Sequence, residues 1–124
     1  LMLSPYHLDF RHKKINHVDY FDSLKSGDNL NLPQQNYDVI LSNFCLHHYR
    51  DLPGVLIQIR RALKPDGLML AIFPGEGTLH ELRSSLQHAE MFLCDGVSPR
   101  VYPTIDLQAA AGLIQRAGYA LPVV

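Results

Sequence analysis

The chain has 124 residues, with 11 Lys and Arg against 12 Asp and Glu, so its formal net charge is only −1. This length corresponds to one domain at most, and the near-neutral charge creates no field that would gather phosphates or anionic lipid. We therefore expect neither nucleic acid nor a membrane surface among its partners. No apolar run is long enough to span a bilayer. Two cysteines are too few for a disulfide framework, and we expect free thiols and a cytoplasmic location.

The first half of the chain predicts a helix, two strands and a loop. Ser4 and Pro5 are typical of a helix start, and basic residues collect near the end of the predicted helix, residues 4–14. Residues 15–21 have β-leaning side chains and predict a strand, whereas turn-forming residues fill the predicted loop at 22–36. Residues 37–44, YDVILSNF, form a continuous apolar run that indicates a strand buried on both faces.

The second half alternates helices with strands. Apolar residues at helical spacing predict a helix over 52–63, followed by a turn at 64–67 and a second buried strand over 68–73. Thr78 and Glu81 form a capping box at the start of a predicted helix over 78–93. A third helix is predicted over 106–118, capped in front by Ile105 or Asp106 and closed by Gly118, and residues 120–124 begin another strand.

This alternation predicts a right-handed α/β fold with a parallel sheet. Ligands of such folds bind outside the carboxyl ends of the strands. The stretch Ser42–Asp51 falls there and contains two adjacent histidines, a cysteine and an asparagine. Neighbouring imidazoles do not easily face one ion, so we predict no metal site. His47 is either a substrate-side residue or a packing residue. The turn at 74–77, Pro-Gly-Glu-Gly, either cradles an anion or is a plain tight turn.

Residues 37–73 closely resemble the second half of class I S-adenosylmethionine-dependent methyltransferases. In that family, a strand that begins with an aromatic residue and Asp leads to a Leu-His-Trp-like loop. An amphipathic helix ending in Arg-x-Leu-Lys-Pro-x-Gly and a further strand follow. The matching features here are Tyr37-Asp38, Leu46-His47-His48 and residues 61–67. Residues 78–89 and 98–124 resemble one branch, the bacterial relatives of the mitochondrial respiratory complex I assembly factor, kin of the malonyl carrier-protein methyltransferase of biotin synthesis.

The resemblance implies a Rossmann-like methyltransferase sheet with flanking helices and S-adenosylmethionine as the cofactor. The positions that match cofactor-contacting positions of the family are Asp28, Asn29, Ser42, Asn43 and Phe44. For Asp28, a turn-forming role in a Gly-Asp-Asn loop is the alternative. The positions on the acceptor side are His47, which would orient or deprotonate the acceptor, and His48 and Tyr49.

Two cofactor-binding features of the family are not found in this sequence: the Gly-rich loop after the first strand, and the acidic residue after the second, where Met2 stands. We therefore expect residues 1–124 to form a single, partial methyltransferase domain without the N-terminal strands. Because the missing strands separate others in the family sheet, we expect a gap in strand pairing. The polypeptide would then be longer than this chain or would pair with a second copy.

The function implied by the resemblance is methyl transfer to a small-molecule or protein acceptor. One alternative is a respiratory complex I assembly factor that modifies a partner subunit. Another is a non-catalytic interaction module, since the fold alone does not separate these functions.

Overall fold

The computed structural model of the chain describes residues 2–3, 19–21, 27–94, 96–100, 104–120 and 122–123. Within these ranges, four parallel strands form a sheet in the order β2-β1-β3-β4: β1 (Met2–Leu3), β2 (Tyr20–Phe21), β3 (Tyr37–Asn43) and β4 (Leu63–Ile72). The helices are α1 (Leu52–Ala62), α2 (His80–Cys94) and α3 (Leu107–Arg116), and a short 3₁₀ helix spans Leu46–His48. The predicted parallel α/β architecture is confirmed.

The short strand β1 fills the position between β2 and β3. Met2 lies opposite Tyr20 on one side and opposite Leu41 on the other. The predicted gap in strand pairing is therefore wrong, because the first residues of the chain pair directly with the carboxyl half of β3. A strand of two residues is too short to produce an alternating pattern, so the sequence did not reveal it. The predicted helix over 4–14 lies outside the described residues, as does most of the strand predicted over 15–21.

Helix α1 covers one face of the sheet and forms the core with it. Ile40 of β3 and Val55 and Ile59 of α1 are completely buried. The rest of the buried cluster consists of Leu30, Cys45, Leu46, Tyr49, Ala62 and Leu63. The helix begins after Asp51, whose side chain accepts a hydrogen bond from the Gly54 N–H and so satisfies one of the free donors of the first turn.

The opposite face of β3 and β4 is half exposed. The exposed fractions are 44% for Val39, 52% for Leu68, 48% for Leu70 and 52% for Ile72. The prediction that both strands are buried on both faces is therefore wrong. Successive side chains of a strand point to opposite faces, and α1 packs against the alternate set that contains Ile40.

The predicted turn at 64–67 lies inside β4 rather than before it. Tyr37 pairs with Leu63 and Val39 pairs with Leu68, so a step of two residues in β3 matches a step of five in β4. The additional residues form a bulge, in which Asp66 adopts a φ of 61°. Asp38 is opposite this bulge, so that Lys64 Nζ reaches both of its carboxylate oxygens, at 2.9 and 3.0 Å.

The two later helices differ in how they begin. Helix α2 begins at His80, after Leu79 at a φ of 57°, so Thr78 does not cap it as predicted, and none of its described residues is buried. Helix α3 begins after Asp106, whose side chain accepts a hydrogen bond from the Ala109 N–H, as one of the predicted alternatives requires.

The residues that follow α3 are hydrogen-bonded to α1. Gly118, at a φ of 88°, follows the helix as predicted. Its carbonyl accepts a hydrogen bond from Arg60 Nε at 3.2 Å, and the Tyr119 hydroxyl donates to the Leu56 carbonyl at 3.0 Å. The strand predicted over 120–124 is not formed at the described residues 120, 122 and 123.

Candidate functional site

The backbone turns sharply at Phe44, at the carboxyl edge of the sheet. This residue has a φ of 50°, in the left-handed region that bulky residues rarely adopt. Its N–H donates to the Ile72 carbonyl at 2.9 Å, which extends the pairing of β3 with β4 by one residue. The phenylalanine is 46% exposed. Unusual backbone geometry of this kind clusters at binding sites, and the structure places Phe44 at the edge where the sequence predicted the cofactor.

The two residues before Phe44 point to opposite faces of the sheet. Ser42 is completely buried, and its hydroxyl lies 3.0 Å from the Cys45 thiol. Asn43 is only partly buried. All three residues were predicted to contact the cofactor. Asn43 and Phe44 reach the surface, whereas the Ser42 side chain belongs to the core.

Asp28 reaches the same edge through contacts with the start of α1. Its carboxylate accepts hydrogen bonds from the backbone N–H of Arg50 at 2.9 Å and of Asp51 at 3.3 Å. The neighbouring Asn29 is exposed, and its side-chain oxygen accepts a hydrogen bond from the Asn31 N–H at 3.4 Å. The structure thus gives Asp28 a role in holding the loop, and a contact with adenine stays a prediction for both residues.

Gln58 fixes this loop against α1, a role that the sequence analysis missed. Its Nε2 donates to the Asp28 carbonyl at 2.8 Å, and its Oε1 accepts from the Leu30 N–H at 2.8 Å. Both partners lie in the loop before β3. The available signal was a polar side chain next to the apolar positions Val55 and Ile59 of a helix that packs on the sheet.

A cavity of about 150 Å³ lies beside this edge. It is lined by Leu46, His47, Tyr49, Leu52, Leu56, Phe73, Ile105, Ala110, Leu113 and Ile114. His47 and the Tyr49 phenol are the ionisable side chains of this lining. A volume of this size holds a group about as large as an aromatic ring.

His47 combines burial with an unused hydrogen-bonding atom. Its Nδ1 is buried and has no hydrogen-bond partner among the described residues. Burial, together with the neighbouring His48, lowers the pKa of His47 below its ordinary value of 6.5. The two imidazole centroids are 4.0 Å apart. At neutral pH His47 is therefore a neutral imidazole whose Nδ1 has no partner among the described residues.

Two of the three residues predicted on the acceptor side line the cavity. His47 and Tyr49 line the cavity, and Tyr49 is also part of the buried core. His48 is exposed. The cavity also takes Leu113 and Ile114 from α3, which the sequence analysis missed because residues so distant in the chain carry no local signal for this contact.

Residues 75–78 form a tight turn, and binding of an anion by this segment stays a prediction. The Thr78 N–H donates to the Gly75 carbonyl at 3.0 Å, and Gly75 pairs with Ile105 in a single parallel bridge. The bridge brings Ile105 next to the end of β4, where it lines the cavity at His47.

The residues at this edge fit part of S-adenosylmethionine. The exposed ring of Phe44 suits contact with a purine face, and the Asn43 amide suits hydrogen bonding to a purine edge. The residues of β1 do not fit the ribose hydroxyls of the cofactor in the same way. Neither Met2 nor Leu3 has a carboxylate that could accept hydrogen bonds from these hydroxyls.

Comparisons with known proteins show the family to which the chain belongs. A family profile described as "Methyltransferase domain" matches residues 4–122. The arginine-hydroxylase NDUFAF5, mitochondrial, of Dictyostelium discoideum is 41% identical over 93 residues, which is 75% of this chain and 21% of that protein. The malonyl-[acyl-carrier protein] O-methyltransferase of Xylella fastidiosa is 44% identical over 100 residues, 79% of this chain and 32% of that protein.

A solved structure has the same fold. The S-adenosylmethionine dependent methyltransferase of Mesorhizobium loti superimposes with a TM-score of 0.53 at 15% identity, covering 82% of this chain and 51% of that one. The chain thus spans a fifth to a third of the two curated relatives and about half of this structure. Among the described residues, no helix is long and apolar enough to cross a membrane.

Proposed function

Since the chain belongs to the methyltransferase-domain family, we propose that it carries the acceptor site and part of the cofactor site of an S-adenosylmethionine-dependent methyltransferase. The observation that carries this proposal is the buried, unpartnered Nδ1 of His47 beside an apolar cavity at the carboxyl edge of the sheet. This edge is where parallel α/β folds bind their ligands. A cytoplasmic location stays a prediction, because the curated relative from Dictyostelium discoideum is named as mitochondrial.

In this proposal the residues of the edge position two groups. When bound, S-adenosylmethionine supplies an electrophilic methyl group. Phe44 and Asn43 contact its adenine, and the acceptor lies in the cavity. His47, neutral because burial lowers its pKa, orients the nucleophilic atom of the acceptor through a hydrogen bond at Nδ1, and it accepts a proton there when that atom carries one. The apolar wall excludes water, and holding the two reactants in line supplies much of the rate enhancement.

Calorimetric titration of the chain with S-adenosylmethionine tests the cofactor side. Stacking of a base on an aromatic ring contributes about 1–3 kcal/mol, so Phe44→Ala is expected to weaken binding by about 5- to 140-fold. Phe92→Ala is the matched control, because Phe92 is 92% exposed on α2, outside the proposed site. No heat at millimolar cofactor would contradict the proposal and would favour a non-catalytic interaction module.

The acceptor is a separate part of the proposal. We favour an acyl ester carried by a carrier protein, because the relative with that named substrate matches 100 residues at 44% identity. The second candidate is an arginine of a partner protein, supported by the match to an arginine-hydroxylase at 41% identity. Transfer of label from methyl-labelled cofactor to a carrier-protein ester supports the first candidate. Transfer of the label to an arginine peptide instead of the ester supports the second.

His47→Ala tests the acceptor side in the same transfer assay. Loss of a group that accepts a proton in the transition state lowers rates by about 10²–10⁴-fold. His88→Ala is the matched control, since His88 is an exposed histidine of α2 that does not line the cavity. Equal rates for both variants and the unmodified chain would contradict the role of His47 while leaving the cofactor site in place.

A further inference from the structure

A second cavity, of about 600 Å³, lies between α2 and the segment 97–100. It is lined by Arg83, Leu86, Gln87, Val97, Ser98, Pro99 and Arg100, and it shares no lining residue with the cavity at His47. Glu90 of α2 holds the segment in place. Its carboxylate accepts hydrogen bonds from the Ser98 N–H at 2.8 Å, from the Ser98 hydroxyl at 3.0 Å and from Arg100 Nε.

The charges around this cavity do not cancel. Hydrogen bonds from the Ser98 N–H and from Arg100 lower the pKa of Glu90, which stays ionised and compensates Arg100. Arg83 has no such partner: its Nη2 is buried and donates no hydrogen bond to any residue in the described part of the chain. A buried donor without a partner loses its hydration without replacement, which is unfavourable. A ligand that accepts a hydrogen bond from Arg83 would remove this cost.

We propose that this second cavity binds the carboxylate of an organic acid with an apolar body, and that Arg83 is its cationic partner. The guanidinium presents parallel N–H groups that match the two oxygens of a carboxylate. The net charge of Arg83, Glu90 and Arg100 together is +1, which matches a monoanion better than a phosphate dianion. Leu86 and Val97 provide the apolar contacts for the rest of the ligand.

Hexanoate is a suitable probe, and calorimetric titration of the full chain measures its binding. A charge-assisted hydrogen bond contributes about 1.5–3 kcal/mol, so Arg83→Gln is expected to weaken binding by about tenfold or more. Arg61→Gln removes the same charge from the exposed side of α1 and is expected to bind as the unmodified chain does. Equal hexanoate affinity for the unmodified chain and Arg83→Gln would overturn the proposal.

Two further variants keep the proposal testable if Arg83→Gln does not fold. Arg83→Lys retains the charge but loses the paired N–H groups, and we expect an affinity for hexanoate between those of the unmodified chain and a chain without Arg83. Glu90→Gln retains the shape of the side chain and leaves Arg100 uncompensated, so it should raise the affinity for inorganic phosphate several-fold relative to hexanoate. Phosphate binding as tight as hexanoate binding in the unmodified chain would overturn the assignment to a carboxylate.

Discussion

The carboxylate of Asp28 offers a direct test of how the site is held together. It joins the loop before β3 to the start of α1 by accepting hydrogen bonds from the N–H groups of Arg50, at 2.9 Å, and of Asp51, at 3.3 Å. Asp28→Ala removes both bonds. The freed N–H groups are exposed, so water replaces the carboxylate in part, and the net loss per bond is about 0.5–1.5 kcal/mol.

The expected change is therefore small but measurable. The contact to Asp51 is long and belongs at the lower end of the range, so Asp28→Ala should lower the free energy of unfolding by about 1–2 kcal/mol. For a chain of this size, this corresponds to a fall in Tm of about 4–8 °C. Asp28→Asn keeps one carbonyl oxygen but presents an NH₂ group to the second donor. We expect it to lower the free energy of unfolding by about half as much as Asp28→Ala does.

Thermal unfolding followed by circular dichroism measures this difference. Asn29→Ala is the control in the same loop, because Asn29 is exposed and its one side-chain contact is long, at 3.4 Å. We expect its effect to stay within about 0.5 kcal/mol. If Asp28→Ala melted at the temperature of Asn29→Ala, the carboxylate would not hold the loop. A loss of cofactor affinity in Asp28→Asn beyond its loss of stability would support the predicted contact with adenine.

Three further predictions concern other contacts of the fold. Tyr119→Phe removes the hydrogen bond to the Leu56 carbonyl and should lower stability by about 0.5–1.5 kcal/mol in chemical denaturation, whereas an unchanged midpoint would contradict this contact. Asp106→Ala removes the cap of α3 and should cost about 1 kcal/mol in the same assay, with Asp106→Asn close to the unmodified chain as the control. The folded-state pKa of His47 lies below 6.5, so its contribution to stability is present above pH 6.5 and is lost as the pH falls through the folded-state value. Denaturation between pH 7.5 and about 5 should therefore show a decline that His47→Gln reduces, and parallel profiles would contradict the burial of this imidazole.

Local patterns were sufficient where an element depends on its own residues. Helix α1 was predicted because its apolar residues recur at helical spacing, and the end of α3 because Gly118 readily adopts a positive φ. The resemblance over 37–73 likewise identified the family and the edge of the sheet at which Asn43, Phe44 and His47 lie. These features depend on short stretches of neighbouring residues.

Local patterns failed where the outcome depends on which segments meet. A continuous apolar run over 68–73 predicted burial on both faces, yet Leu68, Leu70 and Ile72 are half exposed because α1 packs on the other face. The capping box at Thr78 was also wrong, since α2 starts at His80. The first error is not visible in the sequence, because it depends on a contact between distant segments.

Residue patterns along the chain were enough to predict the fold class, the family and the segment that carries His47. Three features became visible only in the folded chain: Met2–Leu3 pairs with both β2 and β3, Gln58 and Asp28 hold the loop before β3, and His47 lies beside a cavity formed partly by α3. The physical reason is that periodicity and turn chemistry act between near neighbours. Strand pairing, burial and cavities arise only when segments far apart in the chain come into contact.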